Sequence, residues 1–246
     1  MTYRLAAMSY EQAAERAGAV CFLPTGATEA HGPHLPLSTD VIISEEGAVQ
    51  AAKRLDEDGI VSVVLPPLAY AVTEFASPFA GTISLPFDTA KALIRDVIVG
   101  AKRAGFGPLV ICNAHLEPDN LRALREGAEE ARAHGAVVAF PDITRKPHAL
   151  RLGDEFRSGA CHAGQYETSL VLAAKAEWVK PQHRELDANP NSLSVAIRAG
   201  KKNFLEAGGE RAYFGYPADA SVGEGVSLYA EHAAIFADAA RELLAR

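Results

Sequence analysis

Cysteine is scarce in this sequence of 246 residues, and the three present, Cys21, Cys112 and Cys161, are odd in number and far apart. That excludes a disulfide framework and points to reduced thiols in a cytoplasm. Long apolar runs are missing: nothing approaches the ~20 residues that a membrane helix needs. The opening "MTYRLAAMSYEQAAERAG" carries acidic residues and no apolar core, unlike a signal peptide. No basic cluster occurs either, and 24 Lys and Arg against 31 Asp and Glu leave a formal net charge of −7. A general nucleic-acid binder would show a basic face, so that class is set aside. G-x-S-x-G, G-x-x-x-x-G-K-[ST] and G-x-G-x-x-G are all absent, which removes support for serine hydrolases, P-loop proteins and dinucleotide-binding folds.

What remains is a soluble, cytoplasmic globular chain, 48% apolar and 22% charged, long enough to bury a full core. "AVCFLPTG" (19–26), "IVSVVLPPLAY" (60–70), "PLVICNAH" (108–115) and "AVVAFPD" (136–142) read as buried strands. Helical patterns at 39–59, 87–106 and 119–135 separate them, the second with Leu93, Val97 and Ala101 at helical spacing. Ser38, Thr39 or Asp40 would cap the first of these helices and Gly59 would stop it. Such alternation predicts a mainly parallel sheet in a three-layer α/β/α domain. Beyond it, "GQYETSLVLAAKAEW" and "SLYAEHAAIFADAARELLAR" look helical, whereas "NPNSLSV" and "GYPADASVGEG" look like loops. With no repeat and no linker, residues 1–246 are expected to form a single domain.

The chemistry concentrates after the first and third strands. In "LPTGATEAHGPHLPLSTD" (23–40), Glu29 and His31 stand two apart, as do His115 and Glu117 in "NAHLEPDN". Side chains at i and i+2 of an extended segment share a face, and the carboxyl ends of parallel strands share one edge of the sheet, where ligands bind. Both pairs should therefore converge, joined by Asp40. Three carboxylates and two imidazoles suit zinc, manganese or iron. Five ligands exceed one catalytic zinc, which keeps a position open, but fit two ions that share a carboxylate. His34 reads as a solvated residue or as a hydrogen-bond partner to a ligand. His134, His148, His183 and His232 lack companions at telling spacing. A zinc deaminase would need Pro-Cys-x-x-Cys downstream of His115, and it is absent. Cys161 beside His162 does not make a cysteine hydrolase, since such dyads are assembled in space rather than in sequence.

The first motif closely resembles the creatininase family pattern, a Pro-x-Gly turn followed by Glu-x-His-Gly-x-His-Leu-Pro and then Asp. The resemblance continues through "FAGTISLPFDT", "VICNAHLEPDN", "CHAGQYETSLVLA" and "FGYPADASVGEG". It implies a creatininase-like α/β/α fold and two divalent ions, zinc first and manganese or iron next, on Glu29, His31, Asp40, His115 and Glu117, with Asp40 as the bridge. It also implies a homo-oligomer, with the hexamer as the family habit, and a small-molecule substrate. The expected reaction is hydrolysis of a non-peptide C–N bond, in a small cyclic amide such as a lactam or creatinine-like ring, by a hydroxide shared between the ions. The alternatives are a deformylase or other linear-amide hydrolase, and a metal-binding homologue without turnover. His162 matches the family's active-site histidine and would shuttle the proton, with Glu117 as its catalytic companion. Glu167 would orient a histidine or bind metal itself, and Thr73 and Leu116 would touch substrate. Creatininase proper resembles this chain less in its substrate enclosure: its tryptophans near the segment before "HAGQYETS" are replaced by "RLGDEFRSGAC". There Phe156 is the sole aromatic, and the single tryptophan, Trp178, lies beyond. The Glu-His before "GTISL" is Glu74-Phe75. These departures argue against creatinine itself.

Overall fold

Four strands with uninterrupted apolar character form the centre of the protein. The computed structural model describes residues 2–245, so the two end residues of the expected 1–246 domain lie outside it. The strands are β1 (Val20–Thr25), β2 (Ser62–Val64), β3 (Leu109–Asn113) and β4 (Val138–Ala139), in the order β2-β1-β3-β4 and parallel throughout. β2 and β4 are shorter than their apolar runs. Each lies at an edge, and Pro66, Pro67 and Pro141 limit further pairing because proline has no N–H to give.

Among the described residues, eight α-helices accompany the sheet: α1 (Tyr10–Ala14), α2 (Thr39–Glu57), α3 (Phe87–Arg103), α4 (Pro118–Ala133), α5 (Gly153–Ser158), α6 (Gln165–Lys175), α7 (Leu193–Arg198) and α8 (Val222–Leu244). Successive strand residues face opposite ways, so each strand feeds two cores. Phe22, Val64, Val110 and Cys112 pack with α2, α6 and α8 on one face. Cys21, Leu23, Val63, Leu109 and Ile111 pack with α3 and α4 on the other. The outcome is the three-layer α/β/α arrangement. Among the described residues, no helix is long and apolar enough to cross a membrane.

Several local expectations shift. In α3 Val97 and Ala101 pack against the core beside the buried Ala90, Ile94 and Ile98, while Leu93 lies at the edge of the stripe, 36% exposed. "GYPADASVGEG" is not wholly loop, because α8 starts at Val222, where the Ser221 side chain accepts from the Glu224 N–H. Its Gly225 is required by a close approach to the Ser169 carbonyl. α7 likewise begins inside "NPNSLSV". None of the three candidate caps bonds the start of α2: Ser38 sits at the N-cap without a side-chain bond, Thr39 donates to the Pro36 carbonyl, and Asp40 turns to the Ala27 N–H. His183 and His232 are buried rather than solvated.

The contact between β1 and α2 is as tight as backbone allows. A Cβ on Gly26 would lie 2.6 Å from Asp40 Cβ and 2.7 Å from Val41 N. Gly26→Ala should lower stability by on the order of 1–3 kcal/mol in urea unfolding. Gly223→Ala, with nothing within 4 Å of its Cβ, should not. A second prediction concerns His232, whose Nε2 shares a 2.7 Å hydrogen bond with the Tyr166 hydroxyl and whose burial pushes its pKa down to about 4. Above pH ~6.5 the imidazole is neutral folded or unfolded; below it, only the unfolded chain takes up the proton, so stability falls as pH drops toward 4. Between pH 7 and 4.5 the wild type should lose roughly 2–3 kcal/mol more than His232→Gln. Urea unfolding at the two pH values measures the difference.

Candidate metal centre

β1 and β3 are neighbours in register, Thr25 opposite Asn113, and the Thr25 hydroxyl donates to Asn113 Oδ1 at 3.0 Å. The segments leaving the two strand tips therefore start side by side. Glu29 and His31 come from the first, His115 from the second, and Asp40 from the first turn of α2. All four are buried. Glu29, Asp40 and His115 form one group of ligand-type atoms mutually within 4.8 Å, and His31, Asp40 and Glu167 form another. Asp40 belongs to both. A third group of the same kind joins Glu29, His31 and His162.

The histidines are oriented by backbone carbonyls. His31 Nδ1 donates to the Glu29 carbonyl (3.2 Å), His115 Nε2 to that of Val72 (2.8 Å), and His162 Nε2 to that of Ala30 (3.0 Å). Each bond orients the ring and turns its other nitrogen toward the carboxylates, as in metal-binding histidines. His31 Nε2 lies 3.2 Å from Asp40 Oδ1, 3.4 Å from Glu167 Oε2 and 3.6 Å from Glu29 Oε1, yet it has no hydrogen-bond partner. His115 Nδ1 lies 3.2 Å from Asp40 Oδ2 and 3.4 Å from Glu29 Oε1.

Burial alone would lower the pKa of His31, but the charges of Asp40, Glu167 and Glu29 reverse this and push it up to about 10. For His115 burial is likewise overridden, chiefly by Glu29 and Asp40, and its pKa rises. In Asp40 and Glu29 the histidines overcome burial, and both carboxyls stay ionised below their usual range. Glu167, where burial prevails, is pushed up to about 8. A buried imidazole nitrogen lacking a partner, set among three carboxylates, is a donor set that fits divalent cations.

Glu117 and Glu167 differ from each other in position. Glu117 lies outside the three groups. It occupies the N-cap of α4, where Pro118 starts the helix and ends the extended alternation that would have aimed it beside His115. Its carboxylate accepts the N–H groups of Glu74 (3.0 Å) and Phe75 (3.1 Å), and burial raises its pKa to about 7. Glu167, in the first turn of α6, accepts from the Ala163 N–H at 2.6 Å and reaches His31. His34 faces away from the carboxylates: its Nε2 shares a 2.9 Å hydrogen bond with Thr168 Oγ1, tying the 31–34 turn to α6. His162 stacks between His31 and Phe204, with ring centroids 4.2 and 4.4 Å away; burial and the nearby His31 push its pKa down to about 4.

Thr73, expected at the substrate, is buried and donates its hydroxyl to Glu29. Leu116 lines a cavity of about 470 Å³ over the cluster, along with Glu117, His162 and Phe204. Sequence reasoning missed the supporting groups. Residues 72–75 hold three site residues at once: the Val72 carbonyl takes His115, Thr73 takes Glu29, and the Glu74 and Phe75 amides take Glu117. Asn113 and Asn120 fix the His115 carbonyl at 2.7 and 2.9 Å. The asparagine of "NAH", beside a suspected ligand, was the available signal; in 72–75 the sequence marked Thr73 only as a substrate contact and Glu74-Phe75 only as a departure from the family pattern.

Fold and site together define a layered α/β protein with a carboxylate–histidine centre at the carboxyl edge of its sheet. The creatininase model (creatinine amidohydrolase) matches residues 5–240, and the chain belongs to the creatininase family. It is 29% identical over 214 residues to the mycofactocin precursor peptide peptidase of Mycobacterium ulcerans (strain Agy99), covering 85% of this chain and 79% of that protein. To the creatinine amidohydrolase of Pseudomonas putida it is 28% identical over 186 residues, 67% of each chain. A creatinine amidohydrolase crystal structure shares its fold with a TM-score of 0.77 at 24% identity, over 98% of this chain and 97% of that one. Creatininase structures described as "Mn" and as "Zn-Zn type" do so at 0.74 and 0.75, with 23% and 24% identity over 98% of both chains.

Because Thr73 holds Glu29 from outside the cluster, Thr73→Val should leave the fold intact and weaken divalent-ion affinity about 10- to 100-fold. Competition against a chromogenic chelator measures this.

Proposed function

We propose that this chain is a metal-dependent amidohydrolase working with two divalent ions, one held by Glu29, Asp40 and His115 and the other by His31, Asp40 and Glu167. The observation that carries the reading is His31 Nε2, buried and without a partner among three carboxylates. The mixed nitrogen and oxygen donors suit zinc first, then manganese or iron, in keeping with the manganese and Zn–Zn creatininases that share the fold. When bound, such ions polarise an amide carbonyl and acidify water from pKa 15.7 to about 7.

The rest of the chemistry falls to the chain. His162 is neutral at pH 7, and its Nε2–H is committed to Ala30. Its Nδ1, 3.7 Å from Glu29 Oε1, is free to take a proton from the attacking water and return it to the departing nitrogen. Glu117, its carboxyl pushed up to about 7, is poised to give or take a second proton at the cavity wall. Phe75, Leu116 and Phe204 line the cavity and limit competing water.

A small cyclic amide, hydrolysed at a non-peptide C–N bond, is the first substrate reading. A linear amide is the second, favoured by the cavity: about 470 Å³ is roomy for a single small ring, and Trp178 is not among its lining residues. The relative named as a peptide peptidase leans the same way. Hydrolysis should vanish on chelation and return with zinc, manganese or iron, on a panel of lactams, formamides and short peptides. His162→Ala should lower kcat by about 10²–10⁴ while elemental analysis still finds two ions per chain. Metal-loaded protein that hydrolyses none of the panel overturns the reading.

A further inference from the structure

The cavity over the carboxylate–histidine cluster is lined by charges of both signs. Its acidic lining residues, Glu29, Asp40, Glu117 and Glu167, belong to the cluster or lie beside it, and among the described residues the arginines that line it are Arg157 and Arg198. The wall also carries the apolar Phe156, Leu193 and Ile197. Arg157 is engaged by Asp154, three residues earlier on α5. Arg198 has no carboxylate within 4.0 Å among the described residues, in a chain whose formal charge is −7. The two arginines are also held in fixed relation. α7, which ends at Arg198, is docked on the turn after α5: Ser192 Oγ donates to the Ser158 carbonyl at 2.7 Å, and the Ser194 N–H to the Gly159 carbonyl at 3.3 Å. Gly159 has a φ of +75°, and any side chain there would strike Ser194. The sequence therefore builds a close junction between two short helices, each of which contributes an arginine to the lining of one cavity.

We propose that Arg198, with Arg157 in the same cavity lining, binds a carboxylate on the substrate, so that the amide presented to the carboxylate–histidine cluster belongs to an acid with an apolar middle, of the N-acylamino acid or peptide C-terminus type. This rests on the amidohydrolase reading in its linear-amide form for what happens at the cluster. The guanidinium fork matches a carboxylate in two parallel hydrogen bonds. The apolar wall takes the side chain between the two polar ends, and a cavity of about 470 Å³ has room for all three parts. A neutral ring would leave the arginine without a partner.

The test uses the full chain loaded with zinc and two matched probes, N-acetyl-L-phenylalanine and its neutral twin N-acetyl-L-phenylalaninamide, titrated by calorimetry. The acid should bind about tenfold tighter or more, and in Arg198→Gln the ratio of the two affinities should fall to about one, with Arg198→Lys in between. Zinc content by elemental analysis and the urea midpoint establish that the variants are folded and loaded. Equal binding of the two probes, or binding of neither, overturns the proposal. A preference that survives in the Arg157→Gln/Arg198→Gln double variant overturns it too, since the carboxylate is then held by the ions. If the acid preference depends on Arg198 but the wild type hydrolyses no amide, the hydrolase reading fails and the carboxylate site stands.

Discussion

Three buried carboxylates, Glu29, Asp40 and Glu167, converge on two imidazoles at the carboxyl edge of the sheet, and most of the architecture around them answers that crowding. Like charges this close in a dry interior repel, and each has been taken out of water. In the protein without ions, the compensation is proton uptake: His31 and His115 are held well above the ordinary imidazole range, and Glu167 tends to stay protonated. Two divalent cations would replace those protons with fixed positive charge. Metal binding would thereby be coupled to proton release and to the stability of the surrounding fold.

Crowding of this sort persists only if the backbone leaves no alternative. Each of the three histidines is anchored through one nitrogen to a main-chain carbonyl, of Glu29, Val72 or Ala30. None of those carbonyls belongs to a strand; all lie in segments pinned by the fold. The Ala27 N–H accounts for part of Asp40, and Gly26 lets α2 press against the end of β1. The turn after β1 is thus compressed between a helix start and the neighbouring strand tip, which explains its glycines and prolines.

Much of this was legible from residue order. Alternation of apolar runs with helical patterns yields the parallel sheet because both faces of such a sheet are covered and its strands read as continuous hydrophobics. Glu29, His31, Asp40 and His115 were legible because each directly follows a strand or starts a helix. Glu117 was harder: spacing pairs it with His115, but the proline after it turns the chain and two amides of residues 74 and 75 take its carboxylate. Glu167 was ambiguous for the opposite reason. It sits in a helix far along the chain, and only the docking of α6 brings it to His31. In α3 the residues at helical spacing, Leu93, Val97 and Ala101, mark one edge of the apolar stripe, and docking on the sheet centres that stripe on Ala90, Ile94 and Ile98.

A parallel sheet supplies only two adjacent strand tips to such a centre, so the remaining sides must come from elsewhere in the chain. Residues 72–75, after β2, close one side through main-chain groups and the Thr73 hydroxyl. The opposite side is closed by the segment running into α6, where His162 bonds Ala30 and the Phe214 N–H donates to the His162 carbonyl. α6 in turn is positioned by α8, whose Gly225 lies directly against the Ser169 carbonyl. A site that looks as though it belongs to the first half of the sequence therefore depends on packing in the last quarter. Metal affinity should accordingly respond to changes on α8 that touch no ligand, because separating α8 from α6 withdraws Glu167 from His31.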